Sequence, residues 1–242
     1  MPETPFSRSH ASSVALCLFS AYLGFTIPAQ GAANPAPSVA VVASTPKAAP
    51  QTQEAKAALS KAVAFQREAK DLVLKFRASV YNSALDKHED YNGKLLLKDA
   101  NRFRLEIPGG IYVCDGVTFW EYHPQNRQVV IRKADDLEDK PLPGDILLRF
   151  LNSDPLSIVK TKADGKEYLE LQLDPSRAMK SLDSLSVLLN PSDFSLHRIS
   201  SRDVSGNEAQ YTVTSVKRNG GIKDKEFTFE PPKGVDLVDM RD

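Results

Sequence analysis

Residues 102–123 read RFRLEIPGGIYVCDGVTFWEYH, and this stretch decides the fold class of the chain. In its first six residues apolar side chains alternate with Arg and Glu, which is the period of a strand with one buried face. Two further apolar runs flank Asp115-Gly116, a dipeptide that is typical of a tight hairpin turn. The stretch therefore predicts three consecutive antiparallel strands.

The predicted hairpin is apolar on both of its faces. With Asp115-Gly116 as a two-residue turn, Cys114 lies opposite Val117 and Tyr112 lies opposite Phe119. The members of one face are Ile111, Val113, Trp120 and Tyr122. The members of the other face are Tyr112, Cys114, Val117 and Phe119, with Glu121 at its end.

The strand before the hairpin adds the apolar side chains of Phe103, Leu105 and Ile107. Joined to the hairpin faces, these side chains predict a broad aromatic and aliphatic wall. A plain hydrophobic core under a helix is the simpler interpretation of that wall, and a ligand-binding surface is the alternative.

Helical and strand patterns divide the rest of the chain. Apolar residues recur at three- and four-residue intervals from Gln53 to Arg77, which predicts one amphipathic helix. An insertion between Pro141 and Lys160 shows helical spacing again. Further strands are predicted at 79–86, 90–98, 127–133, 167–174, 184–190, 195–202, 209–218 and 225–230. The expected class is α+β, with an antiparallel sheet that curls.

The N-terminal residues have the order of an export signal. Arg8 precedes an apolar run at 14–27, and small residues follow the run. The run is shorter than the roughly 20 apolar residues that a membrane-spanning helix needs. We expect residues 1–31 to be a cleaved signal peptide, residues 32–52 a flexible Ala/Pro-rich leader, and residues 53–242 one folded domain.

Charge and motif content argue against several classes of function. Lys+Arg and Asp+Glu both number 31, so the chain lacks the basic footprint of nucleic-acid-binding proteins. The four histidines are far apart in the sequence, and no nucleophile motif or phosphate-binding loop is present. The acidic residues between 135 and 139 are interpreted as a solvated loop, and Cys114 as a packed apolar side chain. We therefore expect a protein that is not an enzyme and needs no metal or cofactor.

Two stretches carry a resemblance to a known family. LLLKDANRFRLEIPGGIYVCDGVTFWEYHPQNRQVVI (95–131) is similar to a "rP.rFr" segment followed by a "DG.tlW.Y.P" hairpin, and FTFEPPKGVDLVDMRD (227–242) is similar to a closing "FtF.pP.GvdvvD" element. These elements are those of the LolA family, the periplasmic carriers of outer-membrane lipoproteins. The likeness spans most of residues 53–242 in order and length.

The resemblance implies an incomplete, strongly curved antiparallel β-barrel whose cavity accepts acyl chains beneath a helical lid. The helix at 53–77 and the insertion at 144–151 would form that lid. The lipid-binding residues expected from the wall and the resemblance together are Phe103, Leu105, Ile107, Ile111, Val113, Trp120, Tyr122, Leu147 and Phe150. The implied partners are acylated lipoproteins, an inner-membrane ABC transporter of the LolCDE kind and an outer-membrane acceptor like LolB. The expected form is a periplasmic monomer.

One position departs from the family pattern. Where the family often has Arg-Pro, with the Arg holding the lid shut, this chain has Asp99-Ala100. Either Lys98 or Arg102 replaces that latch, or the lid opens more easily. Two rival functions are an RseB-like sensor that shares the half-barrel and usually has a second domain, and a lipid-handling enzyme, which would need a nucleophile or metal constellation.

Overall fold

A computed structural model describes residues 49–99, 102–137, 153–177 and 181–241. These residues form one open, curved sheet of 12 strands with one helix. The sheet is antiparallel except for the strand nearest the C terminus, which lies at one edge. The predicted α+β class is therefore confirmed, and so is the strongly curved, incomplete barrel with a covering helix.

The helix, α1, spans Ala49–Arg67. In chain order the strands are β1 Asp71–Asn82, β2 Lys87–Lys98, β3 Arg102–Ile107, β4 Gly110–Asp115, β5 Thr118–His123, β6 Gln128–Lys133, β7 Pro155–Ala163, β8 Lys166–Leu173, β9 Leu182–Leu189, β10 Leu196–Asp203, β11 Glu208–Arg218 and β12 Asp236–Asp239. The sheet order is β12-β6-β5-β4-β3-β2-β1-β11-β10-β9-β8-β7, and β12 runs parallel to β6. Pairing of β1 with β11 therefore joins the two halves of the chain.

The helix ends at Arg67 rather than at Arg77, and the residues from Asp71 onward form β1. Every second side chain of that strand is buried, including Leu72, Leu74 and Phe76. The prediction was wrong here because apolar residues at these spacings fit a strand with an inward face as well as a helix. The helix also starts earlier than predicted, within the expected leader.

The hairpin turn lies one residue later than predicted. Asp115 ends β4, and its Oδ1 accepts hydrogen bonds from the backbone N–H groups of Val117 and Thr118, at 2.8 and 2.7 Å. Cys114 therefore pairs with Phe119, not with Val117. Because this shift moves the register by two residues, the paired side chains stay on their predicted faces, whereas Val117 lies in the turn and is exposed.

Two predictions on the second half are corrected. Residues 155–163 form β7, where the end of a helical insertion was expected. Residues 225–230 were expected to be a strand, but Asp224–Phe227 form a short 3-10 turn instead. The C-terminal strand is instead β12. The predicted signal peptide, most of the leader and the lid insertion at 144–151 lie outside the described residues.

Both faces of the sheet are apolar in the first half of the chain. We name the face that packs against α1 the inner face, and the opposite one the outer face. The inner face of β1–β5 includes Leu72, Leu74, Phe76, Phe103, Leu105, Ile107, Tyr112, Cys114 and Phe119. The later strands add Ile158, Leu171, Leu173, Leu185, Val187, Leu189, Leu196 and Ile199. With residues of α1 these side chains form one continuous core.

Among the described residues, no helix combines the length and the apolar character needed to cross a bilayer.

Candidate functional site

Helix α1 covers the inner face with small side chains. Ala55, Ala58, Leu59 and Ala62 are each at most 5% exposed and belong to the core. Three of these four residues are alanines, which let the helix approach the sheet closely but bury little apolar area. Lifting α1 from the sheet therefore costs less free energy than lifting a leucine-rich helix would.

Two contacts between cations and aromatic rings fasten the helix to the sheet. Nζ of Lys61 lies 4.5 Å from the ring centre of Phe194, and the guanidinium carbon of Arg218 lies 4.1 Å from that of Phe65. Each such contact contributes about 0.5–1 kcal/mol at an exposed site. The helix also contacts β7, the strand at one end of the sheet.

The structure divides the predicted lipid-binding residues between the two faces. Phe103, Leu105 and Ile107 lie together on the inner face, within the core that includes α1. The strand register places the other hairpin residues on the outer face, and these are Ile111, Val113, Trp120 and Tyr122. The expectation of one joined wall is wrong, because neighbouring residues of a strand point to opposite sides of the sheet. Leu147 and Phe150 lie outside the described residues.

The C-terminal segment after β11 covers the outer set. Phe227 is fully buried in the short turn that contacts β3 and β4, and the ring of Phe229 lies 5.6 Å from that of Tyr122. Val113 and Val129 are also fully buried on this side. The outer set therefore forms a second, smaller core, which sequence reasoning missed although the aromatic residues of the closing element were visible.

Neither candidate latch reaches α1. Nζ of Lys98 lies 2.7 Å from Oδ1 of Asp224, and a guanidinium nitrogen of Arg102 lies 2.8 Å from the same oxygen. Lys98 and then Arg102 hold the pKa of Asp224 below its usual value. Arg102 also pairs with Asp99. Both side chains hold the C-terminal segment on the outer face, so neither acts as a latch on α1; the other expected part of the lid, at 144–151, lies outside the described residues.

Asp71 fixes the start of the C-terminal segment that follows β11. This residue is 6% exposed, and its carboxylate accepts hydrogen bonds from the backbone N–H groups of Gly220, Gly221 and Ile222, at 2.7, 2.9 and 3.3 Å. The backbone N–H of Asn219 donates to the carbonyl oxygen of Asp71 as well. A buried carboxylate is tolerated where it receives several such bonds. This clamp joins the first strand to the loop after β11.

The Glu121 carboxylate lies on the inner face next to the apolar wall. Glu121 is 6% exposed, and its two carboxylate oxygens lie 3.0 Å from Nε2 of His123 and 3.4 Å from a guanidinium nitrogen of Arg132. Tyr112 pairs with Glu121 across the strands and is 2% exposed. The Tyr112 hydroxyl has no hydrogen-bond partner in the described part of the chain. An unsatisfied buried hydroxyl costs about 1–3 kcal/mol.

A cleft of about 630 Å³ lies beside the turn between β3 and β4, and its lining includes Lys75, Lys94, Glu106 and Ile111 of the outer face. Phe76, Gly93, Ile107 and Pro108 are among its lining residues. A Cβ on Gly93 would lie 2.1 Å from Cζ of Phe76, so glycine is needed for that ring to lie across β2. Of the lining residues, Phe76 and Ile107 also belong to the core of the inner face.

Cys114 has the environment of a structural residue. Cys114 is fully buried on the inner face, and burial raises the pKa of its thiol. Such a thiol is a packed apolar group rather than a nucleophile. The described residues contain no group of three or more His, Cys, Asp and Glu side chains arranged to hold a metal ion.

Comparison with known families gives one match over most of the chain. The family described as "Outer membrane lipoprotein carrier protein LolA" matches residues 67–230. This range includes β1–β11 and excludes most of α1.

Individual proteins agree with that match. The outer-membrane lipoprotein carrier protein of Aeromonas salmonicida is 27% identical over 171 residues, which cover 69% of this chain and 81% of that protein. The corresponding protein of Klebsiella pneumoniae strain 342 is 26% identical over 71% of this chain and 84% of its own length. Among solved structures, an uncharacterized conserved protein from Thermus thermophilus has the same fold, with a TM-score of 0.52, 14% identity, and coverage of 77% of this chain and 99% of that one.

Proposed function

Because the chain belongs to the LolA family of outer-membrane lipoprotein carriers, we propose that it shields the acyl chains of lipoproteins between its inner face and α1. In this role it carries them from the inner membrane to the outer membrane through the periplasm. The carrier needs no catalysis, because binding and release of the lipid are the whole of its task.

One observation supports the proposal above the others: an apolar inner face continuous over both halves of the sheet, covered by an alanine-rich helix. Acyl chains gain about 0.8 kcal/mol for each CH₂ group removed from water, so one chain is worth on the order of 10 kcal/mol. That gain exceeds the free energy of lifting a helix that buries mainly alanine side chains.

The contacts between α1 and the inner face lower the affinity of the protein for acyl chains. In the closed form the side chains of α1 occupy the inner face, so a ligand must first replace these contacts. The net affinity is the gain from the acyl chains minus this cost, which keeps the complex reversible. An inner-membrane transporter of the LolCDE kind would load the cargo, and an acceptor like LolB would receive it. The carrier would act as a monomer.

Native mass spectrometry of the protein purified from the periplasm tests the proposal. The wild type should leave the cell with an acylated lipoprotein in stoichiometric amount. Phe103→Glu, which puts a charge on the inner wall, should lose the cargo while the far-ultraviolet circular dichroism spectrum stays unchanged.

Val117→Glu is the matched control, because it adds the same charge in the same hairpin at a side chain that is 74% exposed. This variant should keep its cargo. If Phe103→Glu does not fold, Leu59→Glu places the charge on α1 and leaves the hydrogen bonds of the sheet intact. A wild type that never accepts lipoprotein would overturn the carrier role, and one that binds unacylated outer-membrane chains would favour a sensor.

A further inference from the structure

The inner face holds a buried hydroxyl that the core does not satisfy. Tyr112 lies on β4 within the apolar core, and its hydroxyl has no hydrogen-bond partner among the described residues. Burial, and then the neighbouring Glu121, raise the pKa of Tyr112, so the hydroxyl stays protonated and able to donate. A buried donor without a partner in a protein that binds ligands points to a ligand atom as the missing acceptor.

The neighbouring polar groups include Glu121, His123 and the hydroxyl of Tyr91, and none of them is a hydrogen-bond partner of the Tyr112 hydroxyl in the described part of the chain. Both oxygens of the Glu121 carboxylate are engaged, one by His123 and the other by Arg132. The His123 ring stands edge-on to the Tyr112 ring, with 6.2 Å between their centres. The ion-paired row of Glu121, His123 and Arg132 thus flanks Tyr112 without using its hydroxyl.

The hydroxyl lies at the end of the inner face that is formed by the turn between β3 and β4. A Cβ on Gly110 would lie 3.2 Å from the Tyr112 hydroxyl oxygen, so the hydroxyl sits directly above Gly110. Gly110 pairs with Ile107, which lines the cleft next to Pro108. The hydroxyl therefore faces the same side of the sheet as the apolar wall of Phe103, Leu105 and Ile107.

We propose that the Tyr112 hydroxyl, flanked by Glu121, His123 and Arg132, is a polar subsite that binds the carbonyl oxygen of an ester- or amide-linked acyl chain. The inference rests on the proposed function and extends it, because it names the atom that the carrier recognises beyond the hydrocarbon. A carbonyl fits because it accepts a hydrogen bond without adding a second charge to a buried site that is already ion-paired. The subsite distinguishes acyl chains from alkyl chains of the same length.

A matched pair of lipids tests the subsite. Palmitoyl lysophosphatidylcholine and its hexadecyl ether have the same headgroup and chain length, and the ether lacks the carbonyl. Their affinities are measured by displacement of a fluorescent apolar dye, below the concentration at which micelles form. The wild type should bind the ester roughly two- to tenfold more tightly than the ether, as expected of one net hydrogen bond.

Tyr112→Phe should reduce this ester preference to about one, with the ether affinity unchanged. Tyr81→Phe is the control for loss of a tyrosine hydroxyl, because the Tyr81 hydroxyl donates a hydrogen bond to Asp86 at an exposed position of the β1–β2 hairpin. This variant should keep the ester preference. Equal binding of ester and ether by the wild type, or an unchanged preference in Tyr112→Phe, would overturn the subsite while the carrier role stands. A wild type that binds neither lipid would overturn the carrier role and the subsite with it.

Discussion

At the scale of single residues, two buried polar side chains on β1 and β4 are in opposite states. Asp71 receives three backbone hydrogen bonds from the loop after β11, whereas the hydroxyl of Tyr112 has no partner among the described residues. A satisfied buried group stabilises the fold, and an unsatisfied one is a cost that binding can offset. We therefore assign Asp71 to stability and Tyr112 to recognition.

Removal of the Asp71 carboxylate should destabilise the protein strongly. Asp71→Ala leaves the backbone N–H groups of Gly220, Gly221 and Ile222 without their acceptor. A hydrogen bond to a charged group contributes about 1.5–3 kcal/mol to stability. We expect the free energy of unfolding, measured by urea denaturation, to fall by about 2–4 kcal/mol. Asp90→Ala removes an exposed carboxylate that pairs with Arg77, and the free energy of unfolding should stay close to that of the wild type. Equal losses in the two variants would contradict the clamp.

At the scale of elements, the segment after β11 acts as a strap across the outer face. It is fastened by Asp71 at its start, by Lys98 and Arg102 through Asp224, and by Phe227 in the outer core. Its last residues add β12 to the sheet edge beside β6. The strap gives the outer aromatic side chains a structural role, which is why we propose the inner face as the lipid site.

Truncation of the main strap anchor should lower stability without loss of cargo. Phe227→Ala removes a fully buried ring from the outer core, so the free energy of unfolding should fall by about 3–5 kcal/mol. The folded fraction should still bind acylated cargo, as shown by native mass spectrometry. Leu237→Ala on β12, where the side chain is exposed, should stay within about 0.5 kcal/mol of the wild type. Loss of cargo from a folded Phe227→Ala protein would place the outer face in the binding site.

The sequence predicted these elements where local pattern decides the structure. The alternation along β3 and the faces of the paired residues in the β4–β5 hairpin were predicted correctly, because a register shift of two residues leaves each paired side chain on the same face. Val117 was predicted on the inner face but lies exposed in the turn. The helix boundary was wrong because Leu72, Val73 and Phe76 fit two periods, and only pairing with β2 and β11 selects the strand. The Asp71 clamp was not predictable, since it joins residues about 150 positions apart.

At the scale of the whole molecule, one sheet has two separate apolar faces with different covers. The outer face is closed by the chain's own strap, which is held by ion pairs and a buried carboxylate. The inner face is covered by α1 through mainly alanine side chains and two cation–ring contacts. The difference in these covers predicts that the molecule opens at α1, and that acyl chains enter there.

Photo-crosslinking with a lipopeptide that carries a diazirine in its acyl chain tests this account most directly. After irradiation, digestion and mass spectrometry locate the modified residues of the wild-type protein. We predict adducts on α1 around Leu59 and on the inner positions Phe103 and Leu105. Adducts confined to Trp120 or to the strap around Phe227, with none on α1, would contradict the assignment of the inner face as the lipid site.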